Sequence, residues 1–142
     1  MSSIALQNLI YALNQVIHNF GAVTVIAVAT YGLIRQRSDK ESVQPRLLLL
    51  ALTIAWAVQG ASGATFGITS FYFNGELPDI HGVAVTALYI KMTCVSLGFI
   101  LACFGLWRSM AEAQHVPGIT WPASLALGAT ALSSAAFLRW FS

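Results

Sequence analysis

Polar residues are so sparse in this chain that its apolar runs define its elements almost unaided. A spanning helix needs about 20 mainly apolar residues. Four runs qualify: about Ile4 to Ile34, Leu47 to Tyr72, Gly82 to Trp107 and Ile119 to Trp140. The predicted fold is an all-α membrane protein, a four-transmembrane-helix bundle forming a single domain over residues 1–142. The connections are short, so successive helices are expected to be antiparallel neighbours. All four runs exceed a signal-peptide core, and no basic segment precedes the first. No cleaved targeting segment is therefore expected.

Composition agrees with this pattern. The chain has 142 residues, of which 57% are hydrophobic and 8% charged. Soluble domains carry about 25% charged residues, so a water-facing surface cannot be assembled here. Mean hydropathy is +0.72. The net charge of +2 offers no basic stripe for a nucleic-acid backbone. Cys94 and Cys103 lie in one apolar run without a CxxC spacing. They indicate neither a disulfide framework nor a zinc site.

Charge is distributed unevenly between the ends. The link after the first helix carries Arg35, Arg37, Lys40 and Arg46, and the link after the third adds Arg108. The link after the second, Asn74 to Asp79, is acidic, and the C-terminal end offers only Arg139. The positive-inside rule places both termini outside, in the periplasm if the membrane is a bacterial inner membrane. Trp56, Trp107, Trp121 and Trp140 are expected mostly at helix ends, as interfacial aromatics. Gly60, Gly63 and Gly67 on the second helix are spaced for close helix contact. Ala123, Ala126, Gly128, Ala129, Ala131, Ser133, Ser134 and Ala135 give the fourth a similar packing face.

The residues that carry chemistry are the polar ones at membrane depth. Gln7, Tyr11, Asn14 and His18 share one face of the first helix. Gln59 and Ser62 lie in the second. Lys91 lies well inside the third, with Thr86 and Tyr89 before it and Cys94 one turn later. At ~1.5 Å per residue, His18, Gln59 and Lys91 fall at similar depths, roughly 15–20 Å in. No Asp or Glu falls within the four runs. Lys91 must therefore lose its proton, bind an external anion, pair with another chain or snorkel along its helix. A deprotonated amine and a neutral imidazole are both metal ligands in principle. His81, at the entry to the third helix, is either a ligand near the outer surface or a solvated residue. His115 beside Glu112 reads as solvated.

Two segments resemble a known family. Ile17-His18-Asn19-Phe20-Gly21-Ala22-Val23 is similar to the opening of small four-helix membrane proteins with a His in the first helix. Ala87-Leu88-Tyr89-Ile90-Lys91-Met92, ending at Trp107-Arg108, is similar to their later Lys-bearing segment. Copper-resistance protein D-like membrane domains and HemJ-like protoporphyrinogen oxidases share this pattern. The resemblance implies an association with haem b and picks out His18 and Lys91.

The leading expectation is a haem b protein that moves electrons between a quinone and a redox partner, as an anchor or relay subunit. It would be either a HemJ-like oxidoreductase or a non-catalytic redox subunit. Cofactor contacts are expected from His18, Lys91, Gln59, Asn14 and Tyr11. Metal ligation is expected from His18, Lys91 and His81. Lys91 would serve as a second ligand or as a propionate partner. A copper-handling protein working through His18, His81 and Cys94 is the second class. A non-catalytic assembly subunit, bound to other membrane proteins or to its own copies, is the third.

Overall fold

The computed structural model describes residues 3–38, 44–76, 78–111 and 116–141. They form four helices, α1 (Ser3–Arg37), α2 (Pro45–Asn74), α3 (Val83–Ala111) and α4 (Thr120–Phe141). Each is long and apolar enough to cross a membrane. The chain is an all-α four-helix membrane bundle.

The ends of the helices follow from local chemistry. Gln44 is extended, and Pro45 opens α2, where its missing N–H costs nothing. Gly75 closes α2 in the left-handed region at φ 73°, its N–H donating to the Phe71 carbonyl at 2.9 Å. Before α4 the chain turns at Pro117-Gly118, and the Thr120 N–H donates to the Pro117 carbonyl at 2.9 Å. The helices run a few residues past most of the apolar limits. α1 has 35 residues, or about 52 Å at 1.5 Å per residue. It outreaches a hydrocarbon core of about 30 Å, because helical hydrogen bonding continues through Arg35–Arg37.

Packing joins α1 to α2, α2 to α3, α3 to α4 and α4 to α1. The pairs α1–α3 and α2–α4 therefore stand diagonally across the bundle. The termini and the acidic α2–α3 link share one end, here termed the acidic end. The α1–α2 and α3–α4 links share the other, the basic end.

Of the four tryptophans, Trp56 departs from the helix-end expectation, while Trp121 stands in the first turn of α4 as expected but is buried. Trp56 is mid-helix in α2 and 1% exposed, and Trp121 is 4% exposed. Each indole lies flat where a glycine leaves room. A β-carbon on Gly98 would come within 2.4 Å of Trp56 Cε2, and one on Gly32 within 2.4 Å of Trp121 Cδ2. Trp107 and Trp140 are exposed, as interfacial residues are.

The glycine expectation also needs correcting. Gly60 and Gly63 are exposed, and nothing lies within 4 Å of a β-carbon on Gly63. Gly21, Gly32, Gly98, Gly105 and Gly128 make the close approaches instead. On α4, Gly128, Ala131 and Ser134 are buried, whereas Ala126, Ala129 and Ser133 face outward.

The core is built from Val25, Ala29, Leu49, Leu52, Trp56 and Ala102, among others, in the basic-end half. Large apolar side chains on all four helices stay exposed, among them Phe20, Ile68, Ile100 and Phe137. Lipid is the solvent that such a surface fits.

Candidate functional site at the centre of the bundle

His18 and Lys91 sit on the diagonal helices α1 and α3, yet their side chains meet. His18 Nε2 and Lys91 Nζ are 3.1 Å apart. Two features of the sequence make this possible. His18 lies on the interior face of α1 with Asn14, Gly21 and Val25. Lys91 projects from the face of α3 that holds Ala84, Ala87 and Cys94, where small neighbours leave the axis of the bundle open. His18 is buried and Lys91 half-buried.

Neighbouring groups fix the orientation of the imidazole. His18 Nδ1 lies 2.7 Å from Ser62 Oγ. The Ser62 hydroxyl donates to the Val58 carbonyl one turn back. Its single proton is thus committed, and the Ser62 oxygen accepts from His18 Nδ1–H. The proton is assigned by this network. Nε2 then carries a lone pair, and Lys91 donates to it. Asn14 Nδ2 donates to the Ser62 carbonyl at 2.9 Å, and Gln59 Nε2 donates to the His18 carbonyl. Phe66 stands edge-on to the His18 ring, with centroids 5.7 Å apart, and Tyr11 stacks on Phe66 at 6.2 Å.

His18, Lys91 and Asn14 thus come together as expected, and Gln59 and Tyr11 join them indirectly. Gln59 grips the backbone of α1 rather than facing Lys91, and Tyr11 reaches His18 through Phe66. Gln7 lies farther toward the acidic end, 3.4 Å from Asn74 Oδ1. His81 is not part of the site. It is exposed at the acidic end, 3.3 Å from Asp79, roughly ten residues from Lys91 and so ~15 Å away along the chain. Tyr89 and Thr86 face outward, while Cys94 is buried. His115 and Glu112 lie outside the described residues. Phe66 carries no signal in the sequence, whereas Ser62 reads with Gln59 as a polar group at membrane depth, three positions on and so on the same helical face, without a role being assigned to it.

The geometry bears on ligation. Two nitrogens on opposite faces of one iron stand about 4 Å apart at metal–nitrogen bonds of about 2 Å. His18 and Lys91 at 3.1 Å do not bracket an iron in this arrangement. An imidazole that donates through Nδ1 and presents Nε2 is the usual form of a metal-bound histidine. Among the described residues no group of three or more His, Cys, Asp or Glu gathers to hold a metal ion. No carboxylate exists in any of the four helices to neutralise Lys91.

Comparison with protein-family models, curated proteins and solved structures finds no match to this chain.

Proposed function

We propose that this protein is a small haem b-binding subunit of a membrane, acting in electron transfer between a quinone and a redox partner. One observation carries the reading: an imidazole locked by Ser62 directs its Nε2 lone pair at membrane depth onto Lys91, a lysine with no carboxylate in any of the four helices. If haem binds here, His18 would hold its iron and Lys91 would pair with a propionate. A bound haem supplies a one-electron change at its iron. The chain's own residues do the rest. Ser62 holds the imidazole in one tautomer, Asn14 and Gln59 tie α1 to α2 around it, and Lys91 supplies the positive charge. The basic residues at one end support a topology with both termini outside, which is the periplasm if the membrane is a bacterial inner membrane.

The visible spectrum of the detergent-purified chain tests this reading. A Soret band with reducible α and β peaks is expected. His18→Ala should abolish it. Lys91→Met should retain haem with a weaker hold and a lower reduction potential, because a nearby positive charge favours the added electron. Copper without Soret absorption would favour a copper-handling protein. The absence of both, or a His18→Ala chain that stays fully loaded, would overturn the reading in favour of an assembly subunit.

A further inference from the structure

The first helix carries a second polar stripe beside the one that forms the site. Asn8, Ala12, Gln15 and Asn19 are spaced four, three and four, one position after Gln7, Tyr11, Asn14 and His18. The offset of one residue turns this stripe about 100° around α1, and all four of its residues are exposed. Their depth follows from the two ends of the bundle. Gln7 meets Asn74 at the acidic end, and Gln36 meets Gly118 at the basic end. At about 1.5 Å per residue, Gln15 stands about 12 Å below Gln7 and Asn19 about 18 Å. The two ends are about 44 Å apart by the same rise, so a hydrocarbon core of about 30 Å takes in both amides. Gln15 Nε2 donates to Asn19 Oδ1 at 2.7 Å. That bond leaves the Gln15 side-chain carbonyl, one Gln15 N–H and both Asn19 side-chain N–H groups without a partner among the described residues. Exposed hydroxyls behave differently. Thr24, Thr130 and Ser133 each donate to the carbonyl one turn back, and so meet lipid with their proton used. Seven positions beyond Asn19 on the same face, Ile26 lies against Gly128 of α4. α4 therefore covers this face at Ile26 and leaves it open at Gln15 and Asn19.

We propose that this face of α1 is the interface of a homodimer, in which Gln15 and Asn19 pair with the same residues of a second copy. Lipid offers an amide no hydrogen bond, and amides facing one another across two helices supply it. The occupant follows from symmetry and charge. The basic residues gathered at one end give every copy the same orientation in the membrane. A twofold axis then runs along the membrane normal, and each residue of the interface meets its own counterpart at its own depth. Only a group that complements itself suits that position. A carboxamide does, because it carries both donor and acceptor. No Asp, Glu, Lys or Arg lies in α1 before Arg35 to oppose its own copy. Ala12, within the stripe, is small enough to let the two helices approach. The spacing of four, three and four is that of a left-handed helix pair. The proposal does not rest on the redox reading, since neither His18 nor Lys91 belongs to this face.

Cysteine cross-linking of the full chain, in membranes of the cells that express it, tests this face. In a chain with Cys94→Ala and Cys103→Ala, Ala12→Cys places a single thiol on the stripe, and Ala64→Cys places one on the exposed side of α2 instead. Copper phenanthroline oxidises two neighbouring thiols to a disulfide. It should link Ala12→Cys chains into dimers and leave Ala64→Cys chains monomeric. Energy transfer between labelled chains, diluted stepwise with lipid, gives the dissociation constant. Gln15→Leu with Asn19→Leu should raise it at least about tenfold, while Asn19→Gln, which keeps an amide at that depth, should retain most of the dimer. Helix content by circular dichroism should match the unsubstituted chain, because these side chains reach no other helix in the monomer. The comparison of Ala12→Cys with Ala64→Cys stands whatever the double variant does to folding. No dimer from Ala12→Cys, equal yields from the two positions, or a dissociation constant that the double variant leaves unchanged would overturn the interface. Linkage of Ala12→Cys to a different polypeptide, with none to its own copy, would overturn the homodimer. Haem content enters none of these readouts, so failure here is distinguishable from failure of the redox reading.

Discussion

Ser62 shows how much one hydroxyl can decide. It accepts from His18 Nδ1 and donates to Val58, so it fixes both the tautomer and the ring direction of the imidazole. Ser62→Ala leaves a buried imidazole N–H without its acceptor. A loss of about 1–3 kcal/mol is expected, read as lower thermal stability in detergent, together with lower haem content after purification. Ser62→Thr keeps the hydroxyl and should restore most of both. If Ser62→Ala changes neither, the hydroxyl does not orient His18. His81 gives the contrasting case. It is exposed, with its Nδ1 3.3 Å from Asp79, so His81→Ala should leave cofactor content and melting temperature unchanged. A sharp fall in haem or copper would reveal a second site at the acidic end.

Helices pack here by fitting glycines to large side chains, and the same residue type has opposite consequences in different places. On α3, Gly98 faces the Trp56 indole, and an added β-carbon would lie 2.4 Å from Cε2. Gly98→Val must push the indole aside, and overpacking of this kind costs about 1–3 kcal/mol. On α2, Gly63 has open space around it. Gly63→Ala should stabilise the helix by up to about 1 kcal/mol, since alanine has less backbone freedom to lose. Thermal melts of the two variants should move in opposite directions. A destabilising Gly63→Ala would show that this face is covered in the membrane. Helix spacing alone had favoured Gly60, Gly63 and Gly67 as the packing stripe. The stripe is present in the sequence, but the rotation of α2 turns its middle outward and presents Leu49, Leu52, Trp56 and Gln59 to the interior.

The molecule as a whole is polarised in the charge of its links. That polarity predicts orientation. Alkaline phosphatase fused after Asn74 should be active, and fused after Ser38 inactive. The reverse pattern would place the acidic end in the cytoplasm. Much of the architecture was already legible in the residues. Four apolar runs gave four helices, because lipid leaves a spanning backbone no other way to satisfy its hydrogen bonds. The shared depth of His18 and Lys91 was legible too, because polar groups in such runs are few and helical rise is constant. What the tertiary structure decided was rotation: Trp56 and Trp121 inside, Gly63 outside, Gln59 on the backbone rather than on Lys91, and Ser62 beneath the imidazole. In a soluble bundle the apolar stripe would have announced the inward face of each helix. Here lipid is as apolar as the core, so hydrophobic pattern distinguishes membrane from water but not inside from outside. Only the fit of side chain into glycine and of hydroxyl onto imidazole makes that choice.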